Sequence, residues 1–211
     1  MMNSKYSTQA ANILFEHKLN KTGLINLNSK IEPLNLEEAY SIQEELKYLY
    51  LSLKNNETLG KKIGVTNKEA AKQVGIDKPF YGNLFTRFSE INVNSLNSKN
   101  FHQPYIEPEI SFRIKEDINI SLAPFNIENI KDLIDGMLCA IEIVDFRFEK
   151  PIDKIGAYNL IATNGASDYW LRNENIYPLN KTNLDNHEVK LFINSKIQEE
   201  GNTNNVLKNP I

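Results

Sequence analysis

The chain has 211 residues, is 41% hydrophobic and 24% charged, and carries a formal net charge of −3. That balance suits one globular domain, or one with a small subdomain, and the scattered lysines do not make the clustered basic surface that nucleic acid demands. A single cysteine leaves no internal disulfide and no cysteine-based metal cluster. No segment approaches a membrane span, and the polar start Met1-Met2-Asn3-Ser4-Lys5 is not a secretory leader; a cytoplasmic protein with no membrane or nucleic-acid partner is expected.

Residues 7–19 predict a helix, with Ser7 as N-cap and Ala11, Leu14, Phe15 and Leu19 on one face, leaving His17 on the solvated side. A hinge is expected from Gly23 to Pro33. The clearest helix runs over 36–53: Asn35 caps it, Glu38 stands at its third position, and Leu36, Tyr40, Leu46, Leu49, Tyr50 and Leu53 form its apolar stripe. Residues 1–55 therefore read as a helical subdomain, and 56–211 as a β-rich domain.

From Thr58 the period changes to that of a strand. Lys62 stands between Gly60 and Gly64 on a face with no other side chains, a gap where a ligand or another backbone can approach. The lysine could reach a bound anion there, or simply be a surface lysine on a weakened strand. A short helix capped by Asn67 ends at Gly75, Lys78 to Gly82 forms a turn before Asn83-Leu84-Phe85, and 89–100 is a loop that leaves His102 in an irregular lead to the next strand. Asp117 to Asn126 is another loop, followed by a helix over 127–137. Residues 150–168 read as irregular, and 188–200 as a strand, with Val189, Leu191 and Ile193 alternating, that turns at Asn194-Ser195.

The carboxylates carry the chemistry. In Tyr105 to Ile114, strand alternation puts Ile106, Ile110, Phe112 and Ile114 on one face and Glu107, Glu109, Ser111 and Arg113 on the other, the glutamates roughly 7 Å apart at Cα. Pro108 cannot donate to a ladder, which places this strand at an edge or a bulge. Glu142 lies inside the apolar run Leu138 to Val144, where an ionised carboxylate needs a counter-ion or a cation. Two glutamates at this spacing also suit a solvated strand face, and Glu142 could simply pair with Arg113 or Arg147. Convergence of all three would suit a hard divalent ion, Mg²⁺ or Mn²⁺. Cys139 reads as a small buried hydrophobe, and Asp145 with Arg147 as a pair close to the site.

Six segments, taken together and in order, resemble the fumarylacetoacetate hydrolase superfamily, in its 2-keto-4-pentenoate hydratase and 2-oxo-3-hexenedioate (4-oxalocrotonate) decarboxylase group. They are Ala39 to Gln43, Gly60 to Thr66, Gly75 to Pro79, Tyr81-Gly82, Ile106 to Ile110, and Ala140 to Asp145. The resemblance implies an α+β architecture, a helical N-terminal subdomain followed by a mixed, β-barrel-like fold, and a homo-oligomer. It assigns Glu107, Glu109 and Glu142 to the metal, Lys62 to catalysis, and Lys62, Gly64, Asn164 and Ser167 to the substrate. It also implies a Mg²⁺- or Mn²⁺-dependent lyase on small unsaturated 2-oxo acids in aromatic catabolism, with 2-hydroxypenta-2,4-dienoate hydration ahead of 2-oxo-3-hexenedioate decarboxylation. Acylpyruvate hydrolysis, and a truncated remnant or a subunit that needs a partner chain, are the other readings.

Three features depart from the group's pattern. Phe80 stands after the turn proline, where an aspartate is usual, and a phenyl ring cannot move protons. The Asp-Asn-Ala-Ser segment appears as Thr163-Asn164-Gly165-Ala166-Ser167, a little farther from Glu142. The last residues, Gly201 to Ile211, match a segment that relatives follow with a helix and closing strands. The fold is therefore expected to be incomplete at its C-terminus, with sheet edges unpaired and apolar surface uncovered.

Overall fold

A computed structural model describes residues 4–22, 25–182 and 184–211. Gly23, at the start of the expected hinge, and Met1 to Asn3 of the polar start lie outside them. The chain forms helices α1 (Ser4–Asn20), α2 (Leu36–Leu51), α3 (Lys68–Val74), α4 (Ile127–Lys131), α5 (Ile152–Ile155) and α6 (Ala157–Ala162). The strands are β1 (Thr58–Gly64), β2 (Phe80–Phe85), β3 (Ser89–Ile91), β4 (Pro104–Ile114), β5 (Ile134–Asp145), β6 (Ser167–Arg172), β7 (Glu188–Ile193) and β8 (Lys196–Asn202). They make a β1-β2 pair, a four-stranded sheet in the order β3-β6-β5-β4, and a β7-β8 pair. The α+β expectation holds, but no closed barrel forms among the described residues.

Two compact units divide the chain: Met1–Glu107 with Glu142–Leu171, and Pro108–Ile141 with Arg172–Ile211. The N-terminal helices share the core of the first unit. Ala10, Ala11 and Leu14 of α1 and Ala39, Ile42, Leu46 and Tyr50 of α2 are buried together with Phe80 and Phe85 of β2, Val144 of β5 and Leu160 to Ala162 of α6. Ile42 and Ile161 are fully enclosed, and each such side chain contributes about 1.5–3 kcal/mol by leaving water.

The local signals explain most of the first unit. Asn35 Oδ1 accepts from Glu38 N at 2.9 Å while Glu38 Oε2 accepts from Leu34 N at 2.9 Å, a reciprocal cap displaced by one residue. Asn67 caps α3 through Ala70 N at 2.8 Å, and Gly75 ends it at φ +73°. Ser7 is not a cap: α1 starts earlier, and the Ser7 Oγ, buried inside the helix, accepts from Ser41 Oγ at 3.0 Å. Residues 78–82 are not all turn, since β2 begins at Phe80 and pairs antiparallel with β1. The stretch 150–168 is more ordered than Pro151 and Gly156 suggest, holding α5, α6 and the start of β6.

In the second unit, the expected helix 127–137 ends at Lys131 and β5 starts at Ile134. Gly136 permits this: a Cβ there would lie 2.6 Å from Ile176 Cγ2 and 2.9 Å from Tyr177 O, where Met137 and Tyr177 form a bridge. Cys139 is exposed, contrary to expectation, because strand alternation turns it away from its buried neighbours Leu138 and Ala140. The β7-β8 hairpin turns at Asn194 (φ +51°) and Ser195 (φ +63°) as expected, both left-handed as a tight primed turn requires. Large apolar side chains stand exposed in this unit, Ile120 at 82% foremost, with Leu122, Phe192, Ile193 and Ile197. No described helix is long and apolar enough to cross a membrane.

Candidate metal centre

Lys62 enters the interior along a lane kept open by glycines. In the β1-β2 register it faces Gly82, and Gly64 faces Phe80. A Cβ on Gly82 would lie 3.0 Å from Lys62 Cγ and 2.9 Å from Asn164 Oδ1, and one on Gly165 would lie 3.2 Å from Lys62 Nζ. A Cβ on Gly64 would lie 2.5 Å from Phe80 Cζ, inside the ring's own volume. Gly64 thus makes room for Phe80, and Gly82 and Gly165 for Lys62. Of the two glycines expected to mark a close approach, Gly64 meets the Phe80 ring of the chain itself, while nothing lies within 4 Å of a Cβ on Gly60. Both Lys62 and Phe80 are buried.

The lane ends at a carboxylate. Glu142 is 1% exposed, and Lys62 Nζ lies 2.6 Å from its Oε2. This is an ion pair by distance without hydrogen-bond alignment, for neither Glu142 oxygen has a hydrogen-bond partner. The arginines considered as partners are engaged elsewhere: Arg113 with Asp135, and Arg147 with Asp145 at 2.6 Å. Glu107 and Glu109 follow each other on one face of β4, which neighbours β5 in the sheet order. Each of Glu107, Glu109 and Glu142 offers an oxygen, and the three oxygens lie within 4.8 Å of one another.

Three such oxygens suit a hard cation and no soft one. Glu107 as a residue keeps open surface, yet its carboxyl is crowded enough to rise above the ordinary 4.5. Lost hydration is the largest cause, the Lys62 charge opposes the rise, and the Glu142 charge adds to it. A buried carboxylate without hydrogen bonds, beside two more, fits a site for a divalent cation: desolvated anions are stable only when their charge is met.

Other residues expected at the substrate have structural partners. Asn164 Oδ1 accepts from Asn83 N at 2.6 Å, and its Nδ2 donates to Asn83 O at 2.9 Å. Ser167 is held through its backbone, its N donating to Asn164 O at 3.4 Å and its O accepting from Lys18 Nζ at 3.3 Å. Asn164, Gly165 and Ala166 all have positive φ, +60°, +69° and +54°, so this loop depends on what clamps it. Val65, directly after β1, is also left-handed at φ +62°, rare for a β-branched residue.

Asn83 and Gln43 were not singled out from sequence, though both are buried and hold the lane. Gln43 Nε2 donates to Tyr81 O at 3.0 Å and to Ile161 O at 2.9 Å, while Asn83 Oδ1 accepts from Lys61 Nζ at 2.6 Å. The available signal was a glutamine on the buried side of α2 and an asparagine inside an otherwise apolar strand.

A second buried charge cluster supports the same unit. Lys18 Nζ lies 2.5 Å from Asp168 Oδ1, Arg147 bridges Asp168 at 3.5 Å and Asp145 at 2.6 Å, and Asp145 accepts from His102 N and Gln103 N at 2.6–3.0 Å. Burial holds the Lys18 ammonium below its ordinary 10.5, against the opposing pull of Asp168. The expected Asp145–Arg147 pair therefore forms as part of a four-membered network, and His102 enters it through its backbone.

No family model matches the chain. It is similar to a 2-keto-4-pentenoate hydratase of Paraburkholderia xenovorans, 27% identical over 146 residues that cover 69% of this chain and 53% of that protein. It is similar to a 4-oxalocrotonate decarboxylase of a Pseudomonas species, 25% identical over 178 residues covering 84% and 65%. A hydratase of Dechloromonas aromatica is 24% identical over 99% of this chain and 78% of its own length. The matched segment spans about half the length of the first of these relatives. The fold is that of 4-oxalocrotonate decarboxylase from Pseudomonas putida, solved with magnesium and adipate: TM-score 0.89 at 22% identity, over all of this chain and 78% of that one. The two activities named for these relatives are those of the group that the six segments resemble.

Proposed function

We propose that the chain forms the metal centre of a divalent-metal-dependent lyase acting on small unsaturated 2-oxo acids, a hydratase of the 2-hydroxypenta-2,4-dienoate type in aromatic catabolism. The observation that carries this is Glu142, buried with both oxygens free of hydrogen bonds and with Glu107 and Glu109 oxygens within 4.8 Å. These three would hold Mg²⁺ or Mn²⁺, which supplies Lewis acidity toward a 2-oxo acid when bound. Lys62 presents an ammonium on the same carboxylate, where it can bind an anionic substrate or carry a proton at Nζ. Phe80 contributes no proton transfer; its ring, seated on Gly64 and Gly165, keeps water from the lysine. Gly64, Asn164 and Ser167 shape the substrate side through packing and backbone. A cytoplasmic homo-oligomer goes with this reading.

Decarboxylation of a 2-oxo-enedioate is the second reading, supported by a 4-oxalocrotonate decarboxylase relative whose match covers 84% of this chain. Calorimetry with Mn²⁺, with and without oxalate as a 2-oxo-acid mimic, on the wild type and Glu142→Ala, tests the centre. Saturable binding that oxalate tightens and the substitution abolishes is expected, and its absence in folded protein would remove the proposal. Loss of dienol absorbance against CO₂ release then separates the two reactions.

A further inference from the structure

We infer that Lys62 is the resident counter-cation of this centre: its ammonium holds Glu142 while the metal is away and competes with a divalent ion for the same carboxylate. This rests on the metal-centre reading and goes beyond it, since it assigns Lys62 control over metal affinity in addition to any contact with substrate.

Three observations carry it. First, Glu142 is 1% exposed, has no hydrogen bond on either oxygen, and has Lys62 Nζ at 2.6 Å. The ammonium stands where a cation's charge is needed, and a buried carboxylate stripped of its counter-charge is strongly destabilising. Second, the lysine is built into its place. It lies in the lane through Gly82 and Gly165 beside the Phe80 ring, so its charge is shielded from solvent and has little freedom to withdraw. Third, Glu107 and Glu109 complete the oxygen set on the adjoining strand. A divalent ion held by this set would share the Glu142 carboxylate with the Lys62 ammonium, so the set attracts the ion less strongly than it would without that charge.

Two opposite effects of removing the charge follow. Without metal, the protein loses the partner of a buried anion. With metal, it loses a positive charge that repels the incoming ion at short range. A lysine that acts only on substrate would move neither quantity in this paired way.

The test uses the full chain, wild type and Lys62→Met, stripped of metal by chelation, with Mn²⁺ alone as the probe. Lys62→Met is expected to bind Mn²⁺ about tenfold or more tightly than wild type by calorimetry. Its metal-free Tm is expected to fall by roughly 5–10 °C and to recover when Mn²⁺ is added. If Lys62→Met does not fold without metal, Lys62→Gln, which can still donate to Glu142 but carries no charge, gives the affinity comparison. Wild type that binds Mn²⁺ alongside a variant that binds it equally or more weakly would overturn the counter-cation role and leave the metal centre standing. Folded wild type and variant that both fail to bind Mn²⁺ would overturn the metal centre and this inference with it.

Discussion

The carboxamide of Asn164 meets the backbone of Asn83 at both ends, accepting from its N–H at 2.6 Å and donating to its C=O at 2.9 Å. Both residues are buried, so each bond replaces one that water would otherwise make. The clasp supplies β2 with a ladder-like pairing from a loop rather than a strand, and it anchors a loop whose next residue, Gly165, borders the Lys62 ammonium. Asn164→Asp should therefore destabilise by about 2–3 kcal/mol, because a carboxylate cannot donate to Asn83 O and becomes buried beside it. Asn164→Gly, which tolerates φ +60° but removes the side chain, should cost about 1–3 kcal/mol. Urea unfolding of the three proteins checks this; an Asn164→Gly protein as stable as wild type would mean that the clasp adds nothing.

Glu142→Gln keeps the volume of the side chain and one carbonyl oxygen but removes the charge. Mn²⁺ affinity should fall by about a hundredfold or more, since ligand loss exceeds the 10- to 100-fold typical of supporting groups. The metal-free protein also loses stability, because the buried Lys62 ammonium loses its nearest carboxylate, but the Glu107 charge still attracts it, so the loss should be smaller than for Lys62→Met. Calorimetry and thermal melts in chelator read the two effects separately. Unchanged affinity would move the metal away from Glu142.

How much of this was legible in the sequence depends on the range of the signal. The period-2 pattern around Pro108 placed Glu107 and Glu109 on one face of β4, and the apolar run around Glu142 marked a carboxylate in need of a counter-charge. Flanking glycines marked Lys62. What joins Lys62 to Glu142 is tertiary, across 80 residues of chain, and no local pattern encodes it. Helical spacing of Ile127, Ile130, Ile134 and Met137 mimicked a helix through the start of β5, because strand and helix periods coincide over short apolar runs. Cys139 looked buried for the same reason: alternation inside an apolar run is hidden until one face is known to be open. The strand β6 was masked by the proline and glycines that precede it, Asn83 carried no motif, and Gln43 stood in the Ala39 to Gln43 segment with no role attached to it.

Glu107 gives the centre a pH dependence whose sign is set by burial. Its carboxyl titrates above the ordinary 4.5, chiefly from lost hydration. The folded chain therefore holds this proton more tightly than the unfolded chain, and the contribution of Glu107 to stability declines as pH rises from the ordinary carboxylate range through the raised value. In metal-free protein, Glu107→Gln should remove this decline and melt higher than wild type above that range. Mn²⁺ should show the opposite trend in wild type, binding more tightly as the proton leaves. Melting temperatures in chelator and Mn²⁺ titrations across the acid range test both, and parallel pH profiles for wild type and Glu107→Gln would refute the assignment.

The network of Lys18, Asp168, Arg147 and Asp145 balances two cations against two anions, and Lys18 reaches it from α1. Removing one member leaves an uncompensated charge in the interior, so Lys18→Met should destabilise by about 3–5 kcal/mol. Asp168→Asn alone should cost a similar amount, since it leaves Lys18, already below its ordinary ammonium value through desolvation, without its strongest attraction. The double variant removes one charge of each sign and restores the balance as Arg147 with Asp145. Its cost should fall short of the sum of the singles by roughly 2 kcal/mol or more, a coupling within the range for groups in direct contact. Denaturant unfolding of the four proteins closes the cycle. Additive costs would show that Lys18 and Asp168 act independently, and that α1 is held to this unit by Ala10, Ala11 and Leu14 rather than by its buried charge.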